Sequence, residues 1–353
     1  ARRRLDENPA KLRALPGRLP AAVVAPVGLA FAGKKAAQIV GYLMPKVAGV
    51  PLHSFGEPKW RREHPVAGET VVAALLALHD AIGALHAANV VIGDCNDLNV
   101  LVDGSRVHLI DVDSYQFGGF TCPMFTERFL DPRLCDTAMS PTRPHDEASD
   151  WFAFATMVMR TLLGVGPWGG VHQPKDPSKR CPPTARALRR VSVLGDGIIY
   201  PRAARPLAIL PDELVELFRA IFERDQRGVF PRVALERLRL RACSTCGDEH
   251  GRVTCPTCQT AAHLPPAIGM TDVLLRNAHQ ARTAPPFVGP DQQAFGAMLA
   301  APASGTRRPP APSIIPTSHV ARKALTCAAI RDSSSTTPWR RAASAGASGS
   351  RSG

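Results

Sequence analysis

Four residues able to do chemistry, Asp94, Asn96, Asp97 and Asn99, crowd the centre of an otherwise apolar stretch, VVIGDCNDLNVLV at 90–102. A second acidic pair, Asp111 and Asp113, follows in LIDVDSYQF. Between the two groups, Asp103-Gly104 separates apolar runs and predicts a hairpin turn. Asn99, Asp111 and Asp113 would then meet at the ends of paired strands. Carboxylate and amide oxygens so placed suit a hard cation such as Mg²⁺. Asp94 stands apart from that set and could take a proton from an attacking hydroxyl. A base, a metal-binding amide and a metal-binding carboxylate are the parts of a phosphoryl-transfer site. Taken singly, Asp94 and Asn99 read equally well as turn formers. Their order along the chain carries the reading.

The flanking elements must hold these residues in place. GETVVAALLALHDAIGALHAANV (68–90) has continuous helical periodicity and predicts a long buried helix ahead of the loop. SDWFAFATMVMRTLLG (149–164) predicts a second apolar helix, capped by Ser149 or Asp150 and ended by Gly164. Residues 1–14 suit a short helix, and 21–47 read as extended segments around a Gly-Lys-Lys turn at 33–35. Residues 114–146 read as an irregular loop. PDELVELFRAIFERD and PRVALERLRLRA are amphipathic helices by pattern.

The spacing of Asp94 and Asn99, with Asp111 beyond a hairpin, resembles the protein-kinase superfamily. GYLMPKVAG resembles its hinge strand, FTERFLDPRL the end of its activation segment, and SDWFAFA the helix whose acid anchors the catalytic loop. GDCNDLN, LIDVDSYQ and a later four-cysteine cluster together resemble a bacterial kinase-like group with a zinc ribbon. The resemblance implies an α+β, protein-kinase-like fold, mostly its helical C-lobe, over residues 1–240. It assigns Asp94, Asn99 and Asp111 to catalysis, the last two to Mg²⁺. It assigns Met44, Lys46, Val47 and Leu101 to ATP, and Asp150 to a structural anchor. The expected activity is ATP- and Mg²⁺-dependent transfer to a Ser/Thr hydroxyl of a protein substrate. Two other readings stay open: a small-molecule kinase of the aminoglycoside or choline type, and a non-catalytic scaffold.

There are departures from the family pattern. No Gly-rich phosphate loop and no β3-type Lys precede the hinge, so this chain alone is expected to be weak or inactive. Lys34 and Lys35 come too late to supply that Lys, and Glu7 is a candidate for the acid it would pair with. Gly93 replaces the Arg before the catalytic Asp, so control through phosphate pairing to that Arg is not expected. Arg133 stands where a Glu is usual, and Phe230 takes the place of its Arg partner, so that ion pair is expected to be absent. His86 and His108 read as core-edge or surface histidines rather than catalytic groups.

CSTCGDEHGRVTCPTC places Cys243, Cys246, Cys255 and Cys258 as two C-x2-C knuckles. Two such turns close a tetrahedron of thiolates around zinc with no open position, hence a structural ribbon at 241–260, with His250 on the surface. The other five of the nine cysteines are scattered, which fits a cytoplasmic protein better than a disulfide framework. The net charge is +13, and residues 303–353 carry eight Lys/Arg against Asp332 alone. The Pro/Ala/Ser-rich stretch 261–353 is expected to be a disordered basic tail. Ribbon and tail are candidate contacts to protein or nucleic acid. No uncharged apolar run of about 18 residues appears, so no membrane partner is expected.

Overall fold

A computed structural model describes residues 9–33 and 38–262. The chain divides into two units, Ala1–Met270 and Thr271–Gly353, and every described residue lies in the first. Glu7, Lys34, Lys35 and the expected tail from residue 263 fall outside the described residues.

The described chain opens with α1 (Pro9–Arg13) and a hairpin of β1 (Gly28–Ala32) and β2 (Gln38–Leu43). Short β3 (Val50–Pro51), α2 (Leu52–Phe55) and α3 (Pro58–Glu63) lead to α4 (Gly68–Ala87). Next come β4 (Val100–Asp103) and β5 (Arg106–Leu109), then the long helix α5 (Glu147–Leu163). The pair β6 (Val171–His172) and β7 (Ile198–Ile199) precedes α6 (Asp212–Phe222) and α7 (Arg232–Glu236). Last are β8 (Arg241–Ala242), β9 (Glu249–His250) and α8 (Pro256–Ala262).

Three helices build the core. In α4, Val71, Leu75, Leu78, Ile82 and Leu85 are buried at helical spacing. Each such side chain contributes about 1.5–3 kcal/mol of burial. This helix is long and apolar enough by composition to cross a bilayer, but its apolar stripe is spent inside the fold. Helix α5 is buried almost all round, the signature of a helix at the centre of a core. Its first turn is closed by Asp146 and Ser149, each side chain accepting from the other's backbone N–H. Ser149 therefore answers the cap rather than being it, and the carboxylate of Asp150 is left for another task. Gly164 ends the helix at φ 72°, the left-handed conformation that favours glycine. Helix α6 buries one face, Leu214, Phe218, Ile221 and Phe222, with Phe222 edge-on to Phe152 of α5.

The three-stranded sheet β3–β4–β5 lies over this helical body. Asp103 pairs with Arg106 across the turn, so the hairpin holds the Asn99 end of β4 beside the Asp111 end of β5. The segment before β1 adds a parallel bridge, Val23 to Leu109. Residues 114–146 carry short 3₁₀ turns rather than regular structure. The amphipathic stretch at 231–242 yields only the five residues of α7, because the chain then turns to enter β8.

Candidate active site and metal centre

The loop between α4 and β4 hangs from α5. Asp150 is fully buried, and its Oδ2 accepts from the Ile92 backbone N–H (2.7 Å) and from His86 Nε2 (2.9 Å). Its Oδ1 accepts from the Gly93 N–H (3.0 Å). A buried carboxylate requires such donors, and here they set the path of the loop. His86, whose sequence context suggests a core-edge or surface histidine, is one of them and is buried. Farther along the same helix, Arg160 Nε donates to Asp97 Oδ2 (3.1 Å), which also lies 3.2 Å from His53 Nδ1.

Between these two supports sits Asp94, buried in the loop. Its Oδ1 accepts from Thr126 Oγ1 (2.7 Å) and Asn96 Nδ2 (3.0 Å). Asn96 Nδ2 also approaches Thr126 Oγ1 (3.2 Å), so the three side chains form one cluster. Asn99 Nδ2 donates to the Asp94 carbonyl (3.1 Å), which fixes the amide and commits its nitrogen away from any cation. The Asn99 carbonyl accepts from Ile110 N–H (3.0 Å), tying that end of β4 to the chain just before Asp111. Asp111 has φ 68°, a left-handed conformation at the exit of β5, and its carbonyl accepts from Ser114 N–H and Oγ. Asp113 Oδ1 accepts from Tyr42 of β2 (3.1 Å), a bond that joins the first hairpin to the acidic loop. Asn99 and Asp111 thus bring hard oxygen donors, an amide and a carboxylate, to the same edge of the sheet. That donor set fits Mg²⁺.

The residues assigned to nucleotide line the connection from β2 to β3. Met44 and Val47 are half-buried there and Lys46 is exposed. Leu101, also half-buried, pairs with Pro51 at the far end of that connection.

Gly93 is at φ 75°, and a Cβ placed there would lie 2.7 Å from Cys122 Cβ. The segment after β5 therefore packs directly against the loop where an Arg side chain would otherwise project. Burial raises the thiol of Cys122 above its usual range. Cys95, buried beside the charges of Asp150 and Asp94, is raised well above it.

The expected absence of an ion pair at the end of this segment is overturned. Arg227 donates Nε and Nη2 to Asp131 (2.7 and 2.9 Å), with both side chains buried. The carboxylate comes from Asp131 of FLDPRL, two residues before Arg133, and the guanidinium from Arg227, three before Phe230. Each partner is displaced along the sequence, so alignment of positions misses a pair that the fold restores. Thr126 was also not assigned from sequence. A lone loop hydroxyl carries no spacing signal until the fold brings it 2.7 Å from Asp94.

The four sulfurs of Cys243, Cys246, Cys255 and Cys258 all lie within 4.8 Å of one another. Cys243 and Cys258 are 3.7 Å apart, and Cys246 and Cys255 3.6 Å. A tetrahedron of thiolates about 2.3 Å from zinc has edges of about 3.8 Å, so the cluster is positioned to bind that metal. Backbone N–H groups of Cys246 and Thr245 lower the Cys243 thiol to about 6. The knuckles are docked on the lobe. Glu249 of β9 accepts from Arg205 (3.0 Å) and Arg61 (3.4 Å), and Gly251 N–H donates to Ile209 O (2.8 Å). His250 is consequently buried, not on the surface as its polar neighbours suggested.

No family model matches the chain. It is similar to protein kinase YegI of Escherichia coli K12, 25% identical over 202 residues, which covers 54% of this chain and 31% of that protein. The protein of the same name from E. coli O157:H7 is 27% identical over 207 residues, with the same coverage of each chain. The chain thus spans about a third of the length of these curated relatives. A granulovirus kinase, PK-1 of Cydia pomonella granulovirus, aligns with 64% of this chain and 75% of its own at 14% identity and a TM-score of 0.42. Over about half of its length the chain is thus similar in sequence to proteins named protein kinases.

Proposed function

We propose that the protein transfers the terminal phosphoryl group of ATP, with Mg²⁺, to a Ser or Thr hydroxyl of a protein substrate. The observation that carries this is the state of Asp94. Its Oδ1 is engaged by Thr126 and Asn96, which leaves Oδ2 to meet an incoming hydroxyl. As the substrate oxygen bonds to phosphorus and the bond to the ADP oxygen breaks, the hydroxyl proton passes to Asp94. Asn99 and Asp111 would hold Mg²⁺, whose chemistry is to neutralise charge on the phosphate oxygens. The chain from Met44 to Val47, with Leu101, receives the adenine. Thr126 favours a protein over a small-molecule acceptor, because it links the base to the long segment on which an extended substrate would rest. Zinc in the four-thiolate site closes the ribbon as a structural knot, and its reduced thiols suit the cytoplasm.

The test is transfer of labelled phosphate to a protein acceptor by a form of the protein that also carries a Gly-rich loop and a phosphate-binding Lys. Asp94→Ala should lower kcat by about 10²–10⁴-fold, the worth of a general base. Thr126→Ala should lower it as well, and Thr126→Ser should restore it. Full activity in Asp94→Ala would refute the mechanism.

A further inference from the structure

We propose that a pocket beside the β6–β7 hairpin binds a phosphate group, at a site separate from the phosphoryl-transfer loop. The pocket is open to solvent and has a volume of about 400 Å³. Arg186 lines it, and that residue is only 2% exposed. Its Nη1 donates to the carbonyls of Trp168, Gly169 and Gly170 (2.8–3.0 Å), and its Nε to that of Val191 (3.0 Å). All four acceptors are neutral. Among the described residues no protein atom partners Nη2, and no carboxylate lies within ion-pair distance of this guanidinium. A charge so buried normally sits against an opposite one. Burial lowers the affinity of Arg186 for its proton, as an uncompensated cation requires.

The rest of the lining has the same sign. Arg180 adds a second guanidinium at the exposed rim. His172 Nδ1 accepts from the Cys181 backbone N–H (2.9 Å), so the proton of the neutral ring is on Nε2, which is a donor. No acidic side chain lines the pocket. Two cations and an imidazole N–H, without a carboxylate, are the recognition set for an oxyanion, and Arg in particular suits phosphate. The volume exceeds what a bare phosphate fills, and Val171, Pro182 and Pro183 give the wall an apolar portion. That portion suits the chain of a residue carrying the phosphate.

Two sources share this chemistry, free phosphate and a phosphoserine in a peptide. Calorimetric titration of the intact protein with inorganic phosphate, with a short phosphoserine peptide and with its unphosphorylated form separates them. Tighter binding of the phosphopeptide than of phosphate identifies a carried group, and the reverse a free ion. The unphosphorylated peptide should not bind. His172→Phe removes one neutral donor and should weaken binding about fivefold. Arg180→Ser, at the rim, should weaken it about threefold. Arg180 is exposed, so Arg180→Ser should keep the thermal midpoint of the parent, whereas His172→Phe also removes the acceptor of the Cys181 N–H and should lower it. Ligand should also slow alkylation of Cys181, mapped by mass spectrometry, and not that of Cys135. No binding of either phosphate ligand, or equal affinity in the parent and both variants, would overturn the site and make Arg186 a staple between two loops only.

Discussion

Arg227→Met isolates the buried pair with Asp131, which closes the irregular segment after β5. In the native protein the guanidinium makes two short bonds to Asp131, donates to Ile221 O (2.7 Å) and lies 4.6 Å over the Phe152 ring. Methionine keeps much of the volume but leaves the Asp131 carboxylate buried without its cation. Removing one partner of such a pair costs about 3–5 kcal/mol, a large share of the 5–15 kcal/mol typical of a domain. Asp131→Asn should cost less, about 2 kcal/mol, because Oδ1 can still accept from Arg133 N–H and Arg227 keeps Ile221 and the ring. In the double variant neither charge is stranded. Its loss should fall short of the sum of the singles by about 1–3 kcal/mol. Urea unfolding followed by tryptophan fluorescence gives each value by linear extrapolation. A loss below about 1 kcal/mol in Arg227→Met, the worth of an exposed pair, or strict additivity in the cycle would refute the reasoning.

Asp150→Ala should cost about 3–5 kcal/mol by stranding two backbone N–H groups and His86, and should reduce phosphoryl transfer as the loop loses its anchor; a neutral result in urea unfolding would contradict this. Gly93→Ala should destabilise by at least about 2 kcal/mol, since it combines a left-handed φ with a clash against Cys122, and the thermal midpoint reads it. Cys255→Ser should lose the zinc seen in the parent by metal analysis, and unchanged zinc would contradict the four-thiolate site. Zinc binding requires deprotonated thiols, so occupancy should fall as pH falls, with proton release on reloading.

Much of this was legible because its signals are local. Asp94, Asn99, the hairpin that follows them and Asp111 lie within one short span, and helices α4 and α5 are long and strongly patterned. The pieces that escaped are joined across the chain. Thr126 reaches Asp94 from 32 residues away, and Arg227 reaches Asp131 from 96. Neither contact has a period or a spacing, only a fold that brings it about. His250 failed for a related reason. Its neighbours Glu249 and Asp248 look like a solvated turn, but Glu249 is drawn onto Arg61 and Arg205 and carries the strand inward.

Helix α5 grips the loop at both ends, Ile92 and Gly93 through Asp150, and Asp97 through Arg160. The two gripping residues are ten positions apart, about 15 Å along the axis. A segment pinned twice to one rigid rod cannot open locally without breaking buried charge contacts at one end or the other. Its amide hydrogens should then exchange with solvent as slowly as those of the helix itself, on the clock of the whole domain's opening. Loops of this kind ordinarily sample their surroundings quickly. This one is timed by the core, so the Asp94 carboxylate it carries keeps its bearing.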